Sequence, residues 1–334
     1  MAKNVIVFGG AGFIGSHLCQ TLLKQGHNVI CADNLVTGSV DNIRPFLQYE
    51  NFKYLRLDIN DEFDLNEFPE LGPFNLDGSG VQEIYNLACP NVPKDFEKLK
   101  EMTLLSNSIG VINTLEIAAK YKSKYFFASS SVVYGGSEDQ AVVVTENDFG
   151  AVDTMSPRAA YEEGKRFAES LVVNYGSLYG FEVHIGRIFR TFGPRMGVGF
   201  GHLIPDVIQS ALNHKEVVLY GGRDQVSSFV YIDDMISGIM KVMDKSDYQL
   251  PVNLGSSDAY RLVDVVNQIL SLTESNSKVR VEPPLPFMKQ QPVPDLSVAK
   301  SKIGWFPIVS INDGLVKTIE DTMSKMGLVK FESK

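Results

Sequence analysis

The sequence predicts a doubly wound α/β fold, a parallel sheet with helices on both faces followed by a smaller α/β part. Three observations carry this. An apolar run, Val5-Ile6-Val7-Phe8, enters the glycine turn Gly9-Gly10-Ala11-Gly12-Phe13-Ile14-Gly15. Further short apolar runs then alternate with segments of helix length. After Ile188 that alternation gives way to pieces punctuated by glycine and proline.

The opening unit is the most informative. Gly9 suits the tight turn, Gly12 leaves room for a pyrophosphate, and Gly15 lets the following helix lie close to the strand. Phe13 and Ile14 open that helix, where free N–H groups and the helix dipole favour a phosphate. Ile14, Leu18 and Leu22 form one apolar stripe. Asp33 follows roughly 20 residues on, where a carboxylate accepts hydrogen bonds from an adenosine ribose and repels a 2′-phosphate. The unit therefore reads as a dinucleotide site that favours NAD over NADP.

Val29–Ala32, Phe52–Leu57, Val81–Ala88, Tyr125–Ser129 and Val183–Ile188 read as the next strands. Phe96–Tyr121 and Arg158–Tyr179 read as helices. In the second half, Val217–Tyr220, Val226–Tyr231 and Val252–Leu254 are candidate strands and Asp233–Met243 a helix. A proline-rich stretch, Glu282–Asp295, precedes a closing helical region that contains Trp305. The expected division is a dinucleotide-binding domain over 1–190, with return elements near 229–255. A substrate-binding part formed by 191–228 and 256–334 would leave a cleft between them.

Composition narrows the function. A net charge of −9 gives no basic field for nucleic acid, and the 44% hydrophobic content can supply a core. No apolar stretch is long enough to cross a membrane and no signal peptide opens the chain, so a soluble, cytoplasmic protein is expected. Three cysteines, Cys19, Cys31 and Cys89, read as reduced packing residues, and the five histidines lack metal-ligand spacing, so no metal is expected.

The segment Tyr161-Glu162-Glu163-Gly164-Lys165 is the candidate for chemistry. On a helix the i, i+4 spacing puts Tyr161 and Lys165 on one face. A phenol titrates near ~10, so serving as a base near neutrality needs a fall of roughly 3 pH units, about 4 kcal/mol. A neighbouring ammonium and the positive nicotinamide ring would favour the phenolate. Ser130, with Ser131 beside it at a predicted strand end, would hydrogen-bond the same substrate oxygen.

These motifs, with Leu87-Ala88, Gly193-Pro194-Arg195 and Gly304-Trp305, make the chain resemble the extended short-chain dehydrogenase/reductases that act on nucleotide sugars, along almost its whole length. The segments Tyr85–Pro90, Pro157–Arg166 and Thr191–Met196 are most similar to UDP-glucuronate decarboxylases, which lie close to the UDP-sugar 4-epimerases. The resemblance implies a Rossmann-type fold and a nucleotide-sugar substrate. Tyr161 would take the proton of a C4 hydroxyl while the C4 hydride passes to NAD, giving a 4-keto sugar. It also implies that Asp33, Asn34, Asp58, Ile59, Ala88, Asn107, Tyr161 and Lys165 line the cofactor, and that Tyr134 and Arg158 line the substrate. A homodimer through a four-helix bundle, from the helices near Lys98–Tyr121 and Arg158–Tyr179, is implied as well.

The departures matter equally. The decarboxylases carry glutamate in an S-T-S-E-V-Y-G segment where this chain has Val132, and the 4,6-dehydratases carry an Asp-Glu pair where it has Ser131 and Val132. Valine cannot exchange a proton, so dehydration is disfavoured and a 4-epimerase type of reaction fits better. Simple oxidation at C4, with the hydride later removed by another substrate, fits equally; decarboxylation at an altered site stays open, as does an NAD-binding regulator without turnover. The family's diphosphate clamp is also changed: Arg190 stands for asparagine, Ser227 for arginine, and Gln290-Gln291-Pro292 for a basic run. Arg190, Arg195 or Arg223 would replace the lost contacts.

Overall fold

A computed structural model describes residues 2–136, 142–222, 224–285 and 288–328. At its centre lie seven parallel strands: β1 (Asn4–Phe8), β2 (Asn28–Asp33), β3 (Phe52–Arg56), β4 (Glu83–Asn86), β5 (Lys124–Ser130), β7 (Val183–Ile188) and β12 (Val252–Leu254). Their order is β12-β7-β5-β4-β1-β2-β3, with β1 between β2 and β4 at the point where the winding reverses. Ligands in such sheets bind beyond the carboxyl ends of the strands at that point.

Strand alternation explains why both faces are apolar. Val5, Val7, Val29, Cys31 and Phe126 belong to one buried cluster, while Ile6, Phe8, Ile30, Tyr125 and Phe127 belong to another on the opposite face. The first face is covered by α1 (Phe13–Lys24) and α8 (Ile232–Asp244), through Leu18, Leu22, Met235 and Ile239. The second is covered by α5 (Ile109–Tyr121) and α6 (Ala159–Tyr179), through Val111, Leu115, Ala168 and Val172. Two short helices, α2 (Val40–Ile43) and α3 (Leu76–Ser79), lie in the β2–β4 connections.

The expected helix over Phe96–Tyr121 is two helices, α4 (Phe96–Ser106) and α5. The break falls at Asn107-Ser108, whose side chains donate to Thr103 O at 2.8 Å and Leu104 O at 2.7 Å. Short polar side chains that bond their own backbone compete in this way with helix continuation.

The remaining strands pair in twos. β6 (Val143–Val144) pairs with β15 (Val293–Pro294), β8 (Thr191–Phe192) with β11 (Val230–Tyr231), β9 (Val217–Tyr220) with β14 (Val279–Glu282), and β10 (Val226–Ser228) with β13 (Ala259–Arg261). The single strand expected over Val226–Tyr231 is thus divided at Phe229, because its halves pair with different neighbours. With α7 (Leu203–Leu212), α9 (Leu262–Leu272), α10 (Ser297–Ile303) and α11 (Ile311–Lys325), the strands β9, β10, β13 and β14 form the smaller part. Ile204, Val207, Val265, Leu315 and Ile319 continue the cluster that begins under the sheet. Trp305 is anchored to α8 by its indole N–H, which donates to Asp234 O at 3.1 Å.

Candidate active site

A cleft of about 920 Å³ runs along the carboxyl ends of β1, β2, β4 and β5 and is roofed by the smaller part. The glycine turn forms its floor. A Cβ on Gly15 would stand 2.1 Å from Gly9 O, and one on Gly9 (φ +75°) 2.9 Å from the backbone of Ala88. The turn therefore closes only with glycine at both positions. Gly12 caps α1 without a side-chain bond, and no acid occupies the first helical turn. The orphan N–H groups at Phe13 and Ile14 are left to an anion, as a pyrophosphate site requires.

At the end of β2 the Asp33 carboxylate accepts the N–H groups of Ala11 (3.0 Å) and Leu35 (2.8 Å) and borders the cleft. Burial pushes its pKa up, and the N–H bonds pull it back. Asn34 donates to Asp58 at 2.8 Å, joining the tips of β2 and β3, and Ile59 and Ala88 complete this wall. The cradle fits NAD: it offers free N–H groups, a close backbone approach and a carboxylate at the ribose position.

At the other end stand Ser130, Ser131, Tyr161 and Lys165. Helix α6 brings Tyr161 and Lys165 to one face, and β5 ends on the serines. The Tyr161 ring stacks on Phe96, with centroids 6.0 Å apart, and packs against Val132. Burial pushes the phenol pKa well above its ordinary value, while the Ser130 hydroxyl and the Arg158 guanidinium work the other way. The Lys165 ammonium donates to Ala128 O at 2.9 Å and lies 4.6 Å from the centre of the Phe127 ring. In this arrangement the desolvation of the ring prevails, and the ammonium is directed at the strand end.

The other expected site residues divide. Arg158 and Arg190 both line the cleft. Arg158 Nε lies 3.2 Å from Glu162, and its guanidinium lies over the Phe96 ring. Arg190 is pushed down to about 10 by burial and by the nearby charge of Arg158. Arg195 also borders the cleft, but its guanidinium donates to Ser16 O (3.2 Å) and Gln20 (2.6 Å) on α1 and stacks on Phe46. Tyr134 does not reach the cleft. Its hydroxyl donates to Asn253 at 2.6 Å and accepts from Arg187 at 2.9 Å, which fixes the ring in an apolar cluster with Phe189. Asn107 is likewise set back, its amide spent on Thr103 O and Cys89 Sγ. Arg223 lies outside the described residues.

Sequence reasoning missed several neighbours. Cys89, read as packing, lines the cleft beside Tyr161. Lys289 lies 3.8 Å from buried Glu162, and the Ser131 hydroxyl donates to Gln291 at 3.4 Å, so the segment after β14 covers the reactive end. The proline-rich composition of that segment signalled a loop but not where it folds back.

The family model described as the NAD dependent epimerase/dehydratase family matches residues 5–255. The chain belongs to that family. Among relatives, UDP-glucuronic acid decarboxylase 1 of Danio rerio is 34% identical over 318 residues, covering 95% of this chain and 72% of the relative. UDP-glucuronic acid decarboxylase 6 of Arabidopsis thaliana is 33% identical over 328 residues, covering 98% and 91%. Among solved structures, a UDP-glucuronic acid 4-epimerase from Bacillus cereus in complex with UDP-glucuronic acid and NAD is 26% identical, with a TM-score of 0.83 over 97% of this chain and 99% of that one. As in other members of the epimerase/dehydratase family, the parallel sheet is Rossmann-like and the cofactor is NAD. Among the described residues no helix is long and apolar enough to cross a membrane, and no group of His, Cys, Asp or Glu could hold a metal ion.

Proposed function

We propose that this family member oxidises the C4 carbinol of a nucleotide sugar and restores it with inverted configuration, a 4-epimerase reaction. One observation carries the reading. Ser130, Tyr161 and Lys165 meet at the cleft end, and the residue that packs there with Tyr161 and Phe96 is Val132. The carboxylates that line the cleft are engaged elsewhere: Asp33 with Ala11, Asp41 with Arg44, Asp58 with Asn34, Asp206 with Lys94, and Glu216 with Arg280. Glu162 is buried behind Arg158 and does not line the cleft. A dehydration needs an acid and a base besides the tyrosine, whereas inversion through a ketone needs only a group that takes and returns one proton.

The glycine turn, Asp33, Ala88 and Lys165 hold NAD, which supplies a hydride acceptor and, when oxidised, a positively charged ring. Tyr161 accepts the proton of the C4 hydroxyl and later gives it back. Ser130 holds the same oxygen. Arg158 and Arg190 provide positive charge for the substrate's anionic part, which supports Arg190 as a member of the altered clamp. Residues 1–190 and 229–255 carry the cofactor in this reading, and 191–228 with the segment from 256 onward carry the sugar nucleotide. Exposed Leu104, Leu105, Ile109, Phe167 and Val173 on α4, α5 and α6 support a homodimer through those helices.

Incubation with UDP-glucuronate separates this reading from decarboxylation, which the similarity to the decarboxylases favours. UDP-galacturonate is the expected product. Carbon dioxide with a UDP-pentose would replace the epimerase reading by the decarboxylase one. NAD binding without turnover of any nucleotide sugar would reduce the chain to a binding protein.

A further inference from the structure

Helix α6 carries Glu169 one turn beyond Lys165, so that Tyr161, Lys165 and Glu169 follow at i, i+4 and i+8 along one face. The first two line the cleft and the third does not. Glu169 instead meets the strand end from behind. Arg187 of β7 binds it in fork geometry, Nε to Oε1 at 3.0 Å and Nη2 to Oε2 at 2.8 Å, and the Ser129 hydroxyl donates to the same Oε1. Arg187 stands opposite Ser129 in the strand register. Lys165 meanwhile donates to Ala128 O. Residues 128 and 129, which lead directly into Ser130, are thus gripped by two successive turns of the helix that carries Tyr161.

We propose that Glu169 is a positioning residue of the reaction centre: its negative charge keeps Lys165 an ammonium, and its bonds to Ser129 and Arg187 fix the strand end that presents Ser130 to Tyr161. The inference rests on the reading of Tyr161 and Lys165 given above. The charged and titratable groups around Lys165 are few. Tyr161 and Glu169 face it from α6, and Cys89 from the segment after β4. Arg187 of β7 stands on the far side of Glu169, and Arg158 and Glu162 pair with each other at the start of α6. Burial drives the lysine toward its neutral form, and Cys89 and Glu169 oppose that. Glu169 is the carboxylate among them, and a neutral lysine would bond Ala128 O more weakly and offer Tyr161 no positive charge.

The test is an NMR titration of lysine labelled at the ε carbon, in the full chain with NAD present, with the Lys165 signal assigned by Lys165→Met. Glu169→Gln, which keeps the shape, should lower the Lys165 midpoint by roughly one pH unit. Glu169→Asp, which keeps the charge but shortens the reach, should hold it near the wild-type value. Arg187→Met removes the competing cation and should move the midpoint upward, which keeps the proposal testable if Glu169→Gln does not fold. Equal midpoints in wild type and Glu169→Gln, or a downward move in Arg187→Met, would overturn it. The titration needs no turnover, so its failure is distinct from failure of the epimerase reading. If turnover is present, the alkaline limb of the rate profile should follow the same order of variants, an order that a purely structural role would not produce.

Discussion

The Asp33 carboxylate accepts the backbone N–H of Ala11 at 3.0 Å, so the acidic residue at the tip of β2 is tied to the glycine turn at the tip of β1. One side chain both shapes the phosphate cradle and stands where a ribose would lie. Asp33→Asn keeps an acceptor for the turn but removes the charge. NAD affinity should fall about tenfold, on the order of 1–2 kcal/mol, and the preference over NADP should shrink. Titrations with both nucleotides check this, and an unchanged preference would remove Asp33 from the ribose site.

Tyr161→Phe deletes only the hydroxyl from a ring held by Phe96 and Val132. Turnover should drop by roughly 10²–10⁴. NAD binding should stay within about twofold and stability within about 1 kcal/mol. Comparable losses of binding and turnover would instead indicate a structural ring.

Arg158 is buried and the half-buried Arg190 places a second cation near it, and of the two it is Arg158 that pairs with Glu162. Arg190→Met should raise the KM for a nucleotide sugar by about 10- to 100-fold, leave the Kd for NAD unchanged, and leave the fold as stable or more so. Thermal unfolding alongside steady-state kinetics reads both effects. Arg190→Met with an unaltered KM would return the clamp to residues outside this pair.

His17 gives a prediction about acid. Its ring lies 2.9 Å from Pro194 O, and burial, with the charge of Arg195, lowers its pKa to about 4. In the unfolded chain the ring takes up a proton near ~6.5, before the folded form does, so stability is lost as pH falls from about 6.5 toward 4. The loss should reach about 2 kcal/mol by pH 5. Urea unfolding at pH 7 and pH 5 should show this slope in wild type and a shallower one in His17→Gln.

How legible the molecule was in its sequence depended on how local the information is. The β1–α1 unit was readable because strand, glycine turn and helix are contiguous and each glycine has a steric reason. Tyr161 and Lys165 were readable because helical spacing fixes their shared face. What could not be read was side-chain commitment. Arg195 and Arg190 both border the cleft, yet the Arg195 guanidinium is bonded to α1 through Ser16 O and Gln20, which its sequence position does not reveal. Tyr134 follows Ser130 closely in sequence but turns inward, because Asn253 and Arg187 satisfy its hydroxyl there. Asn107, expected in the cofactor wall, is set back in part by a bond to Cys89, a partner that local spacing does not reveal. The burial that opposes ionisation of the Tyr161 ring appears only in three dimensions.

The most direct measurement is turnover of a nucleotide sugar carrying deuterium at C4. The account predicts a slowed reaction whose product keeps the deuterium at C4 with the configuration inverted, because that hydrogen leaves and returns as a hydride while Tyr161 handles only the hydroxyl proton. Loss of the label to solvent, or a product formed with C4 untouched, would contradict it.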